Sequence, residues 1–426
     1  MQRILGWIIL GMVFVPSVWA KSPIKDERIE YFRGGERQVN QDKKPVPILE
    51  GIKKEYYAGG QLKAEKTYLH GILHGPTKFY ARDGKLREEQ NYAKGKREGI
   101  HREYSPDGKL RIEENYKTDQ LDGLAKEYYP NGNLKREAAY QSNRLNGPAL
   151  QYYENGNLKS EENFSNSLKD GVARYYDEGE NLQEERPYKM DRLDGVLRKY
   201  RTDGSVETEE TYRDDFKDGV IRTFYPGGKL QGEKTFKEDR QTGPIRNYAE
   251  DGTTVVGEGN YLNNKKEGIF KFYYPNGKPQ AEMNFVNGRQ DGLMKKYYED
   301  GKVSDEINYI AGQVGGEVKS YFANGNLEQE GTILKGAPHG PYKRYYLDGT
   351  LQEEGAYVHG VRDGTIHYYF PTGKLKQEET YIDGQLDGTV TLYDDQGQIL
   401  RQEVYSYGEH LRKIGPPSEM RLQKKP

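Results

Sequence analysis

Glycine recurs along this chain at residues 51, 75, 99, 123, 147, 171, 195, 219, 243, 268, 292, 316, 340, 364 and 388, so every step is 24 residues except one of 25. A period of this length means an array of one supersecondary unit, each copy burying its apolar face against its neighbours. With these glycines as position 0, position 5 is Tyr in fourteen of fifteen units, Phe224 being the exception, and position 9 is Gly in fourteen. Position 11 is aliphatic, position 14 Glu and position 17 aromatic, each in thirteen units.

A short, aromatic unit broken by Gly at two fixed places reads as a β-hairpin. Pairs such as Asn131-Gly132 and Asn276-Gly277 mark its tip, and Pro130 and Pro275 precede them. Proline suits the first central position of a type I turn, and a left-handed Gly then completes a three-residue loop with a bulge. Such a loop sets position 5 opposite position 11 and position 1 opposite position 15. Positions 1, 5, 11 and 17 are then expected on one face, as with Leu124, Tyr128, Leu134 and Tyr140. The Gly at position 0, after Asp122, Asn146, Asp170 or His74, marks a second turn to the next hairpin. The sequence predicts an all-β fold, an elongated, open, twisted sheet of about fifteen stacked hairpins, ~140 Å long if straight at ~4.8 Å per strand.

Two units depart from the pattern. In the sixth, Gly179 comes one place early and Glu180 occupies position 9; the ninth has Thr254 at position 11 and an extra residue near Gly257, where a kink is expected. Composition agrees with a thin sheet: 34% of residues are apolar and 31% charged, yet 12% are aromatic, which separates the chain from disordered ones. The absence of Cys excludes disulfides, thiolate nucleophiles and cysteine zinc sites. With 65 basic against 67 acidic residues, no field recruits nucleic acid or an anionic membrane.

The pattern G-x-x-x-x-Y-Y-x-N-G-x-L-x-x-E-x-x-Y resembles the MORN (membrane occupation and recognition nexus) repeat family, specifically the 24-residue bacterial variant whose members are labelled YwqK-family antitoxins. The resemblance spans 51–411, fifteen units. It implies a ladder of β-hairpins serving as a binding or tethering scaffold, and the antitoxin label implies capture of a partner toxin.

Outside the array, residues 1–20 read as a signal peptide: Arg3 is the only charge, Ile4 to Val15 are apolar, and Ala20 is the small residue before a cut. Cleavage there places the chain in the periplasm or at the cell surface, and only an uncleaved segment would touch membrane. Residues 21–50 are charged, with Tyr31-Phe32-Arg33-Gly34-Gly35 either a degenerate capping hairpin or a linker. Residues 412–426 form a tail.

No constellation breaks the repeat as an enzyme site would, so the chain reads as non-catalytic, with no metal and no cofactor. His70 and His74 fall between units, where His74 and His339 replace the usual Asp. The Glu column at position 14 and the basic column at position 3 (Lys54, Lys78, Arg102, Lys126) recur too regularly to be a site, and are expected to neutralise one another. The better binding candidates are the position 6 tyrosines: Tyr57, Tyr129, Tyr153, Tyr225, Tyr274, Tyr298 and Tyr346. Such aromatic rows anchor a protein partner, stack on polysaccharide, or pack on one another. The reading is an exported scaffold binding a protein along its sheet, with carbohydrate or cell-wall binding and an immunity role as alternatives.

Overall fold

The structure, a computed structural model, describes residues 29–30, 37–39, 45–47 and 49–415. The signal-like segment, Tyr31 to Gly35 and residues 416–426 lie outside them. The chain packs as two units, divided after Leu168. Among the described residues there is no helix, and in each unit the strands form an open antiparallel array of hairpins. In the first unit Ile29–Glu30 also pairs with Lys54 and Glu55 of the first repeat, and Arg37–Val39 pairs with Pro45–Pro47.

The fourth repeat shows the hairpin, with strands Gln120–Tyr128 and Leu134–Gln141. Tyr129 N–H donates to the Asn133 carbonyl and Gly132 N–H to the Tyr129 carbonyl, both at 2.8 Å. Gly132 has φ of 98°, the left-handed residue that a bulged three-residue loop requires. Tyr128 faces Leu134, as the loop type predicts. In the sixth repeat the left-handed position is held by Glu180 itself, at φ 66°, because the hydrogen bonding of the loop fixes the place of the bend. Asp177 compensates by accepting from the N–H groups of Gly179 and Asn181, each at 2.9 Å.

Beyond that loop the expected face assignment fails. Lys126 faces Glu137 and Glu127 faces Arg136, whereas Tyr128 faces Leu134, so Lys135 is a second bulged residue. One extra residue reverses the parity of the returning strand. Position 1 therefore faces position 16, as Leu124 faces Ala139, and Tyr140 pairs with Gly123. Tyr140 thus lies on the face opposite Tyr128 and Leu134.

The second turn is also not at Gly147. Gln141 pairs with Arg144, so the bend is a two-residue turn at Ser142 and Asn143, whose φ values of 48° and 66° are those of type I′. Gly147 lies inside the next strand, in a bulge between the pairs Tyr140–Leu145 and Ala138–Ala149. Its φ of 114° and the 3.3 Å at which a Cβ would meet the Ala139 Cβ explain why only Gly recurs there. The Asp, Glu or His before that glycine holds the turn: Asp122 Oδ2 accepts from Ser142 N–H at 3.1 Å, and His74 Nδ1 from Lys94 N–H at 3.3 Å.

In the ninth repeat the extra residue lies in the hairpin loop, not near Gly257. Ala249 N–H donates to Thr254 at 2.8 Å, and Asp251 accepts from Thr253 and Thr254 N–H at 2.8 Å. Gly243 still faces Tyr261 and Arg246 faces Glu258, so pairing continues in register.

The core is a column to which the sequence assigned no character. Position 2 is buried in Thr77, His101, Ala149, Ala173, Leu197, Ile221, Phe270, Met294, Tyr342, Ile366 and Val390. Each sits against position 15 of the preceding repeat, and the size of the pair varies along the array. Ala149 meets Ala138, whereas Phe270 and Ile366 lie over Gly259 and Gly355, where a Cβ would come within 2.4 and 2.2 Å of the larger side chain.

Candidate interaction surface

The face opposite that core carries the recurrent polar columns, and they bind one another. The position 3 cation pairs with the position 14 carboxylate of its own repeat: Arg102 with Glu113 at 2.7 Å, Arg198 with Glu209 at 2.9 Å and Lys295 with Glu306 at 3.0 Å. The position 5 hydroxyl of the next repeat then donates to the same Glu column, Tyr200 to Glu185 at 2.8 Å and Tyr369 to Glu354 at 2.7 Å. Burial and the Glu185 contact push the Tyr200 hydroxyl up to about 12. Burial alone would raise Glu185, but hydrogen bonds from Tyr200 and Arg174 outweigh it and hold that carboxyl below its usual range. Neutralisation along the sheet is as expected, and it leaves this face few unmet partners.

The position 6 tyrosines are half-buried. Their hydroxyls donate to the position 5 carbonyl of the following repeat: Tyr57 to Tyr80 at 2.8 Å, Tyr129 to Tyr152 and Tyr225 to Tyr248 at 2.9 Å, Tyr274 to Tyr297 at 2.7 Å, Tyr298 to Tyr321 at 2.5 Å and Tyr346 to Tyr369 at 2.8 Å. Several ring faces also lie under cations, with Arg82 5.6 Å from the Tyr57 centroid, Lys135 5.9 Å from Tyr129 and Lys159 5.4 Å from Tyr153. These rings brace one hairpin loop against the next.

Two places depart from the repeat at position 2. In the first unit His101 is buried between carboxylates, its Nδ1 3.2 Å from Glu114 and its Nε2 3.2 Å from Glu88. Burial opposes its charge, yet those two contacts win and push the imidazole up to about 9. Glu114 is held low in turn, its burial outweighed by hydrogen bonds from His101 and Tyr116. Among the described residues no three His, Cys, Asp or Glu side chains gather as a metal site.

In the second unit the corresponding residue is Tyr342, whose hydroxyl donates to the buried Glu353 at 2.5 Å. Arg362 reaches Glu353 at 2.8 Å, and Arg344 lies 3.7 Å from it. Burial and Glu353 push the Tyr342 hydroxyl far up, so it stays a donor. Beside it opens a pocket of about 180 Å³, walled by Pro341, Tyr342 and Tyr357, floored by Gly331 and Ile333, and rimmed by Gln329, Lys343 and Arg344. The Tyr342 and Tyr357 rings lie 4.6 Å apart. The hollow exists because Ile333 stands where the other repeats place an aromatic ring, and Gly331 removes a second side chain. Ile333 was visible in the sequence as a break in the position 17 column; its meaning was not, since that column was assigned to the wrong face.

Among solved structures, similar chains include the crystal structure of TcdB2-TccC3-Cdc42, at 15% identity and a TM-score of 0.17, covering 88% of this chain and 21% of that one. TcdB2-TccC3 without its hypervariable C-terminal region is another, at 11% identity and a TM-score of 0.15, covering 91% and 24%. TcdB2-TccC3 itself follows at 12% and 0.16, covering 91% and 25%. The chain thus spans a quarter or less of the length of these solved chains. No curated protein matches it. The family described as MORN repeat variant matches at 49–70, 73–94, 97–118, 121–142, 145–166, 169–190, 217–238, 266–287, 290–311, 315–334, 338–359 and 362–383, more than half of the sequence. Those segments run between successive type I′ turns, which are the structural joints of the array, and the chain belongs to the MORN repeat variant family.

Proposed function

We propose that this chain is an exported, non-catalytic scaffold that binds another protein, with the pocket beside Tyr342 as its anchor point. A MORN repeat array is a repeat scaffold for protein interaction. The observation that carries the finer reading is the pocket itself. The recurrent charges are spent within each repeat and the position 6 hydroxyls on the next one, whereas Tyr342, Tyr357 and Arg344 surround an open hollow in the side-chain types that anchor interfaces. Export rests on the apolar run from Ile4 to Val15 and the small residue Ala20.

The test is capture from an envelope fraction with the full chain and with the variant Gln329→Arg, Arg344→Glu, both residues being exposed at the pocket rim. One envelope protein recovered by the wild type and lost with the variant is the expected result. Recovery of nothing specific, or equal recovery by both, overturns the reading. Retention on isolated peptidoglycan that is insensitive to the variant would move the function to polysaccharide.

A further inference from the structure

The edge formed by the type I′ turns carries an apolar row in the second unit. Position 18 is Leu262, Val286, Ile310, Leu334, Val358 and Ile382 in six successive repeats, and all six are exposed. Position 21 lies opposite position 18 across each turn, as Leu334 faces Ala337 and Val358 faces Val361. The two positions alternate on successive strands, so the row offers a side chain every ~4.8 Å and an equivalent one every ~9.6 Å. At its centre Ile310 is 64% exposed, Leu334 46%, Val358 37%, Val361 43% and Ile382 44%. Scattered apolar side chains are exposed elsewhere, such as Ile100 and Leu124, but an unbroken run along one edge marks an interaction site.

We propose that this row is the contact between two copies of the chain, packed antiparallel about a two-fold axis at Ala337. Spacing argues for a second copy. An extended strand laid along the row repeats every ~6.7 Å on one face, and a helix at i, i+7 every ~10.5 Å, so both drift out of step over several repeats. The same row on another copy matches at every position.

Charge fixes the direction. Position 21 runs from Lys265 and Arg289 at one end, through Gln313, Ala337 and Val361, to Gln385 and Glu409 at the other. Lys265, Arg289 and Glu409 are exposed. A two-fold at Ala337 brings Leu334 onto Val358, Ile310 onto Ile382 and Lys265 onto Glu409, each twice by symmetry. A parallel arrangement would set Lys265 and Arg289 against themselves. The small side chain at the axis lets the two edges approach.

The chain has no Cys, which makes the test clean. Sedimentation of the full chain is expected to give a concentration-dependent mass approaching twice 49.0 kDa. Leu334→Lys with Val358→Lys, both on exposed side chains, is expected to give the monomer with unchanged circular dichroism. Ala337→Cys under mild diamide oxidation should form a covalent dimer, whereas Lys117→Cys, the same column as position 18 in the first unit, should not. Lys265→Glu should weaken association about tenfold, through two reversed charge contacts, and Glu409→Lys added to it should restore it. A wild type that stays monomeric at its highest soluble concentration, or equal cross-linking by Ala337→Cys and Lys117→Cys, would overturn the proposal. Failure of the double charge reversal to restore association would overturn the antiparallel arrangement.

Discussion

His101 in the third repeat and Tyr342 in the thirteenth occupy the same position 2, each with a buried carboxylate as partner, yet one site is filled and the other is hollow. Gln90 lies against His101 from the preceding repeat and is fully buried, whereas the equivalent residue beside Tyr342 is Gly331. The first site therefore closes on an ion triad, and the second opens to solvent beside two tyrosine rings in contact. The hairpin around both is the same: a bulged loop at positions 7 to 9, a second bulge at position 12 and a left-handed glycine at position 0. The backbone is held by bulges and turns common to the repeats, so the pair formed by positions 2 and 15 is free to vary.

The largest contrast between the sites is expected with pH. His101 has a folded pKa of about 9 against 6.5 ordinarily, so its contribution is complete below about 6.5 and is lost as pH rises through 9. At about 1.4 kcal/mol per unit this amounts to roughly 3 kcal/mol. Glu114 runs the other way, its contribution being lost as pH falls through its depressed pKa. At Tyr342 the cation is Arg362, whose guanidinium is pushed further up and stays charged. Hydrogen exchange corrected for intrinsic rates should show protection of Lys96–Tyr104 falling between pH 6.5 and 9 while that of Gly340–Tyr345 holds. Equal change in both strands would break the distinction.

A smaller effect separates the two glycines that flank Tyr342, Gly355 beside it in its own repeat and Gly331 in the preceding one. Gly355→Ala places a Cβ 2.2 Å from the Ile366 Cδ1, which is fully buried, and overpacking of this kind should cost about 2 kcal/mol. Gly331→Ala meets its nearest atom, the Tyr342 Cβ, at 3.3 Å and faces the pocket, so its cost should stay below about 1 kcal/mol. Urea denaturation of the two variants in parallel measures the difference, and equal costs would mean that the pocket is not open space. The smallest effect is a gain. Glu180 is left-handed where fourteen repeats have Gly, so Glu180→Gly should stabilise the sixth repeat by about 1 kcal/mol. A loss in the same denaturation experiment would show that Glu180 has a role beyond strain.

How much of this was legible depends on which residues the backbone forces. Pro130-Asn131-Gly132 marks its turn because only a few residue types suit those dihedral angles, so the loop and the Tyr128–Leu134 pairing were readable. The second bulge at Lys135 imposes no residue type, so Tyr140 was read on the wrong face. The type I′ turn was hidden for a related reason: Ser142-Asn143, Met190-Asp191 and Ala311-Gly312 all adopt it, held by the ladder and by the acidic residue before position 0. Position 2 was unreadable because no residue type recurs there: it runs from Thr77 and Ala149 to Phe270 and Tyr342. The candidate pocket inherited that gap, since Gly331 and Ile333 signify a hollow only once their face is known.

The most direct test is a pair of deletions. Removing residues 123–146, one full period, should leave every side chain on its face and preserve both the circular dichroism and the thermal transition of the remaining array. Removing 123–145, one residue fewer, should shift the following strands by one place, turn position 2 outward and leave an aggregated or partly unfolded chain. Equal folding by the two deletants would contradict the account.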